Sequence, residues 1–178
     1  MNVFILNSGR CGSTTFIRAC SHITNYSAGH ESRAGIVGPD RLRYPANHIE
    51  ADNRLSWYLG RLDRHYGDGA RYVHLLRDRE TTAASFARRH EFGIMQAYRE
   101  GIVLEMEGEP DAMAIARDYL DTVTANIEHF MQNKSHTMTI QLERAEEGFV
   151  TFWEWIGAEG DLSAALAEWQ VRHNASVE

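Results

Sequence analysis

The chain has 178 residues, 43% of them hydrophobic and 24% charged, with three prolines and two cysteines. This is ordinary globular composition and excludes a disordered, collagen-like or disulfide-stapled protein. The formal charge of −7 argues against a nucleic-acid binder, but it is uneven: residues 1–99 carry a net +5 and residues 100–178 a net −12.

In chain order, Val3-Phe4-Ile5-Leu6 is a short apolar run ending at Asn7-Ser8-Gly9, as expected of a buried parallel strand. A helix follows from Ser13 to about His22, then a second short strand over 23–28. Residues 29–48, rich in Gly, Pro, Arg and His, are expected to form a long irregular loop. Asp52 or Asn53 can cap a helix carrying Leu55, Tyr58, Leu59 and Leu62 on one face. After the Gly67-Asp68-Gly69 break comes a strand, Tyr72–Leu76. Asp78 then caps a helix running to about His90. Residues 91–109 give no clear pattern. Met113, Ala116, Leu120, Val123, Ile127 and Phe130 step by three and four, which predicts a helix over 111–132. Thr137–Leu142 is a strand, Phe149–Ile156 a helical stripe and Leu162–Trp169 a last helix. Trp57, Trp153, Trp155 and Trp169 fall on helices and are assigned to the core. Strands alternating with helices predict one α/β domain over 1–178, three-layered, with a mainly parallel central sheet flanked by helices.

The basic half is built from arginine: the chain has 17 Arg and one Lys, Lys134. Arginine's permanently charged planar fork suits oxyanions. Cys11 and Cys20 have no metal-ligand spacing with a second pair, and no metal is expected. No apolar run approaches the roughly 18 residues of a membrane span, and the N-terminal run lacks the basic flank of a signal peptide. The expected compartment is the cytoplasm.

Two segments carry the chemistry. Ser8-Gly9-Arg10-Cys11-Gly12-Ser13-Thr14-Thr15 follows a strand and opens a helix. Its glycines let successive N–H groups curl around an anion, and the helix N-terminus adds unpaired donors and partial positive charge. Arg10 adds charge and Ser13, Thr14 and Thr15 add hydroxyls, a set suited to phosphate or sulfate. It is not a Walker A loop, because Gly12 is followed by Ser13 where that pattern needs Lys. In the second segment Arg77 ends a strand and Ser85 lies eight residues on, about two helical turns away.

Together the two segments resemble the PAPS-dependent sulfotransferases, where PAPS is 3′-phosphoadenosine-5′-phosphosulfate. Arg10-Cys11-Gly12-Ser13-Thr14 is similar to that family's phosphosulfate loop, and Arg77 with Ser85 to its 3′-phosphate motif at the family spacing. Glu50-Ala51-Asp52-Asn53 and Phe149–Gly157 add to the likeness. The resemblance implies a P-loop-NTPase-like fold, PAPS as sulfuryl donor, and a cofactor site made by Arg10, Cys11, Gly12, Ser13, Thr14, Thr15, Arg77 and Ser85. It also implies that Arg172, in the C-terminal Arg172-His173-Asn174, closes over the 3′-phosphate. The Arg10 position is Lys in the family's cytosolic branch; Arg there resembles carbohydrate-type and bacterial branches and implies electrostatic stabilisation rather than proton donation. A Glu base in similar enzymes lies near His30-Glu31, so Glu31 is the first candidate base and His30 the second. The acceptor is a small molecule, carbohydrate or lipid. The chain is short for the family, which leaves the acceptor site open or completed by a second copy in a homo-oligomer. Two other readings stay open: a P-loop phosphotransferase or nucleotide kinase, and a non-catalytic nucleotide-binding protein that retains the loop.

Overall fold

A computed structural model of the chain describes residues 1–104, 108 and 111–171. Five strands form one sheet: β1 (Asn2–Leu6), β2 (Ser27–His30), β3 (His48–Ala51), β4 (Ala70–Leu76) and β5 (Thr137–Gln141). Their order is β2-β3-β1-β4-β5 and every neighbouring pair is parallel. The α/β class with a parallel sheet between helices is therefore observed.

Alternation along the strands builds the two outer layers, because successive side chains leave opposite faces. Val3 and Ile5 of β1 join Val73 and Leu75 of β4 under α1 (Ser13–Cys20) and, later in the chain, α6 (Ala145–Ile156) and α7 (Leu162–Ala167). Phe4, Leu6 and Tyr72 point the other way, against Leu62 of α2 (Leu59–Tyr66), Ala83 and Phe86 of α3 (Arg79–Ala87), α4 (Gly93–Tyr98) and α5 (Ala112–Met131). Helix α5 carries the apolar stripe expected of 111–132: Ala116, Leu120, Val123 and Ile127 are all buried.

Several segments differ from the sequence expectation. The second strand is Ser27–His30 rather than 23–28. The stretch 29–48 is not loop throughout: it contains the end of β2, a 3-10 turn (Pro39–Leu42) and the first residue of β3. Strand β3 itself, His48-Ile49-Glu50-Ala51, alternates polar and apolar residues like a strand with one solvent face, yet all four residues are buried. Its polar side chains are satisfied internally. Glu50 accepts hydrogen bonds from Ser32 N (2.7 Å) and Ser32 Oγ (2.6 Å) and pairs with His48 Nε2 at 2.9 Å. Finally, the second-motif helix stops at Ala87 instead of His90, and a short α4 and a π turn (Arg99–Val103) follow. Asp52 and Asp78 do cap, accepting from Arg54 N and Thr81 N, but the element that Asp52 caps is a 3-10 turn (Asn53–Trp57), and α2 starts separately at Leu59.

The strand order places the site. The connection leaving β1 turns towards β3 and β2, whereas the one leaving β4 turns towards β5. Such a reversal opens a crevice at the carboxyl ends of the two strands, where ligands of α/β sheets bind. Arg10 follows β1 and Arg77 follows β4.

Candidate active site

The segment from β1 to α1 is held by side chains rather than by a regular ladder. The buried Asn7 side chain donates to Ile5 O (3.0 Å) and accepts from Gly9 N (2.9 Å). Gly9 (φ +94°), Arg10 (φ +60°) and Gly12 (φ +83°) are all left-handed. That conformation is easy for glycine and strained for Arg10. Gly12 stands at the N-cap of α1, and no acidic residue occupies the helix's first turn. The N-terminal N–H groups of α1 thus face no carboxylate of their own helix.

The two sequence motifs, far apart along the chain, meet here. Arg10 Nε donates to Ser85 Oγ at 3.0 Å, and Arg77 Nη1 donates to the Arg10 carbonyl at 3.1 Å. His30, at the end of β2, places Nε2 3.1 Å from Ser13 Oγ and 3.4 Å from Thr14 Oγ1. Glu31 also has a left-handed backbone (φ +51°), and its carboxylate pairs with Arg54 at 2.8 Å. Such a conformation in a non-glycine residue is costly and concentrates at functional sites.

A cleft of about 910 Å³ lies over these groups. Of the sequence candidates, Arg10, Gly12, Ser13, Thr14, Thr15, His30, Glu31, Arg77 and Ser85 line it. Cys11 does not; its side chain is buried among the core residues behind the loop, and burial pushes the thiol up to about 12. A thiol held protonated in this way is a poor nucleophile, so Cys11 can serve a ligand through its backbone only. Arg172 lies outside the described residues.

The cleft also contains residues the sequence reading missed. Arg88 and Arg89 line it beside Arg10 and Arg77. A signal for them existed, since 85, 88 and 89 share a helical face by spacing. Asn53 and Arg54 arrive from the turn after β3, and Phe92, Ile94 and Met95 come from the α4 region, which gave no pattern. Trp169, assigned to the core, lines the cleft as well while packing edge-on against Phe16.

Among the described residues the cleft holds five arginines and one acid, Glu31. The charges act on one another: burial first, then Arg89, Arg77 and Arg88, lowers the Arg10 pKa. Cations gathered at this density, next to a helix N-terminus and three hydroxyls, fit a ligand bearing more than one negative group.

No protein-family model and no curated protein matches the chain. Among solved structures, it is similar to mouse sulfotransferase SULT7A1 complexed with PAP, at 10% identity and a TM-score of 0.60. The match covers 95% of this chain and 63% of that one, so the chain spans less than two thirds of its neighbour's length. The five-stranded parallel sheet and its flanking helices are those of the PAPS-dependent sulfotransferase fold.

Proposed function

We propose that the protein is a sulfotransferase that moves a sulfuryl group from PAPS to a hydroxyl or amine. The observation that carries this reading is the junction of the two motifs, Arg10 on Ser85 and Arg77 on the Arg10 carbonyl, at the carboxyl ends of adjacent parallel strands. The fold neighbour is complexed with PAP, the product such a donor would leave. The donor set fits PAPS, which carries anionic groups at both its 5′ and 3′ positions.

The 5′-phosphosulfate would lie on the N–H groups of residues 11–15, with Arg10 and the Ser13 and Thr14 hydroxyls beside it. Arg77 and Ser85 would hold the 3′-phosphate, with Arg88 and Arg89 adding charge. The donor supplies an activated sulfur–oxygen bond; the chain's contribution is positioning and charge stabilisation. Arg10 and the loop N–H groups stabilise charge on the sulfuryl oxygens and on the bridging oxygen as its bond to sulfur breaks. Glu31 takes the acceptor's proton as the new bond to sulfur forms. Arg54 holds the Glu31 carboxylate in place, and His30 orients the Ser13 and Thr14 hydroxyls. The acceptor would be a small molecule, carbohydrate or lipid.

Thermal unfolding with adenosine 3′,5′-bisphosphate, set against ATP with Mg²⁺, tests the reading. A ligand at 100 times its Kd adds about 2.7 kcal/mol to the folded state. A rise with the bisphosphate alone is expected. A rise with ATP and Mg²⁺ alone would point to a phosphotransferase. Bisphosphate binding without PAPS turnover across an acceptor panel would point to a non-catalytic protein.

A further inference from the structure

The anion loop has few backbone hydrogen bonds of its own, so its shape must come from elsewhere. Three of its carbonyls are tied by side chains from distant elements. Ser56 Oγ donates to Asn7 O at 3.0 Å, Tyr119 Oη to Ser8 O at 2.7 Å and Arg77 Nη1 to Arg10 O at 3.1 Å. A trans peptide sends its carbonyl and its N–H in opposite directions, so holding the carbonyl aims the following N–H. The peptide between Ser8 and Gly9 is held at both ends: Tyr119 takes its carbonyl and the Asn7 side chain takes its N–H. The chain then enters two consecutive left-handed residues, Gly9 and Arg10. The direction in which Arg10 leaves the loop therefore depends on that one peptide plane.

Tyr119 is fixed in turn. It is fully buried on α5, with its ring edge-on to Phe86 (5.2 Å) and Tyr98 (5.3 Å). Asn53 lines the cleft, and its carbonyl oxygen lies 3.4 Å from Arg54 Nη1, the group that pairs with Glu31. Glu31, Arg54 and Asn53 thus form a run of polar contacts along the cleft, beside the loop that Tyr119 holds at Ser8.

We infer that Tyr119, which does not line the cleft, is a positioning residue that sets the anion loop for the sulfuryl donor. This rests on the sulfotransferase reading. Tyr119→Phe keeps the ring and its packing but leaves Ser8 O without its hydroxyl donor. Tyr98→Phe is the matched control. The Tyr98 hydroxyl is also bound to α5, at Asp118 (2.6 Å) and Thr122 (3.2 Å), but touches nothing in the loop.

Calorimetric titration with adenosine 3′,5′-bisphosphate, thermal unfolding of the unliganded proteins and steady-state kinetics decide the matter. Tyr119→Phe is expected to weaken bisphosphate affinity and raise the donor KM by about tenfold, the effect of a lost buried hydrogen bond. The acceptor KM should not change, and Tyr98→Phe should bind as the parent does. Equal affinities for Tyr119→Phe and the parent overturn the inference and leave the sulfotransferase reading standing. So does an equal loss in Tyr98→Phe, which would mark both hydroxyls as merely structural. If the parent protein does not bind the bisphosphate, the functional reading falls and takes this inference with it.

Discussion

Two irregular stretches flank the cleft, and they are held differently. In the anion loop, residues 7–12, distant side chains grip backbone carbonyls, so the backbone is the ordered part and its N–H groups are aimed. In the stretch from Glu31 to Asn47, a buried side chain sent inwards is joined by scattered grips from outside on Ser32, Gly38 and Leu42. Arg41, almost wholly buried, pairs with the buried Asp52, donates to Tyr44 Oη at 3.2 Å and lies over the Tyr58 ring. Glu50 grips Ser32, and Tyr66 Oη donates to Leu42 O at 2.7 Å. A backbone pinned plane by plane suits a fixed anion. A segment pinned at a few scattered points keeps its outer residues, such as the exposed Val37, out of the packing. We expect acceptor choice to reside in that second stretch.

The largest effect should come from chemistry at the junction of the two regions. Glu31→Gln is expected to lower sulfuryl transfer by about 10²–10⁴-fold, the range for a general base, while bisphosphate affinity stays unchanged. Transfer assays with a parallel titration check it, and full activity would hand the base role to His30. Next, Arg41→Leu leaves Asp52 buried without its cation and should remove about 3–5 kcal/mol of stability in urea unfolding. If the contrast is right, bisphosphate affinity survives that loss, because the anion loop does not depend on Arg41.

Acid should act on the sheet beneath both regions. Burial lowers His74 on β4 from 6.5 to about 4. Between those values the unfolded chain binds a proton that the native state does not. Stability from this group is therefore full above pH 6.5 and falls as the pH drops towards 4, by about 3 kcal/mol in all. Urea unfolding across that range should show the fall, and His74→Leu should flatten it. The smallest effect belongs to the exposed ion pairs that join α3 to α5. Arg79 meets Asp121 twice at 2.7 Å, yet Arg79→Ala should leave the urea-unfolding midpoint almost unchanged, because solvent screens exposed pairs. A larger loss would make α3 a third pinned element of the site.

The uneven charge also takes on a place in space. Arg10, Arg54, Arg77, Arg88 and Arg89, all from the basic half, converge on one cleft. Part of the acidic half is structural, since Asp121 binds Arg79, while Arg117 of α5 holds Glu80 of α3.

Strand β1, helix α5, the Asp52 and Asp78 caps and the two segments that meet at the cleft were legible in the residues, because each depends on local spacing, apolar periodicity or a capping side chain. The same holds for the alternation of strands and helices that implied a parallel sheet. Strand β3 was not legible, because its burial is made possible by Ser32 and Asn2, far along the chain, satisfying its polar groups. Nor was the role of Tyr119, which in the sequence is only one more aromatic on an amphipathic helix. Its hydroxyl meets Ser8 at a separation of 111 residues. Periodicity records which side of a helix is buried; it carries no information about which distant carbonyl will lie beneath it, and only the packing of α5 against the end of β1 decided that.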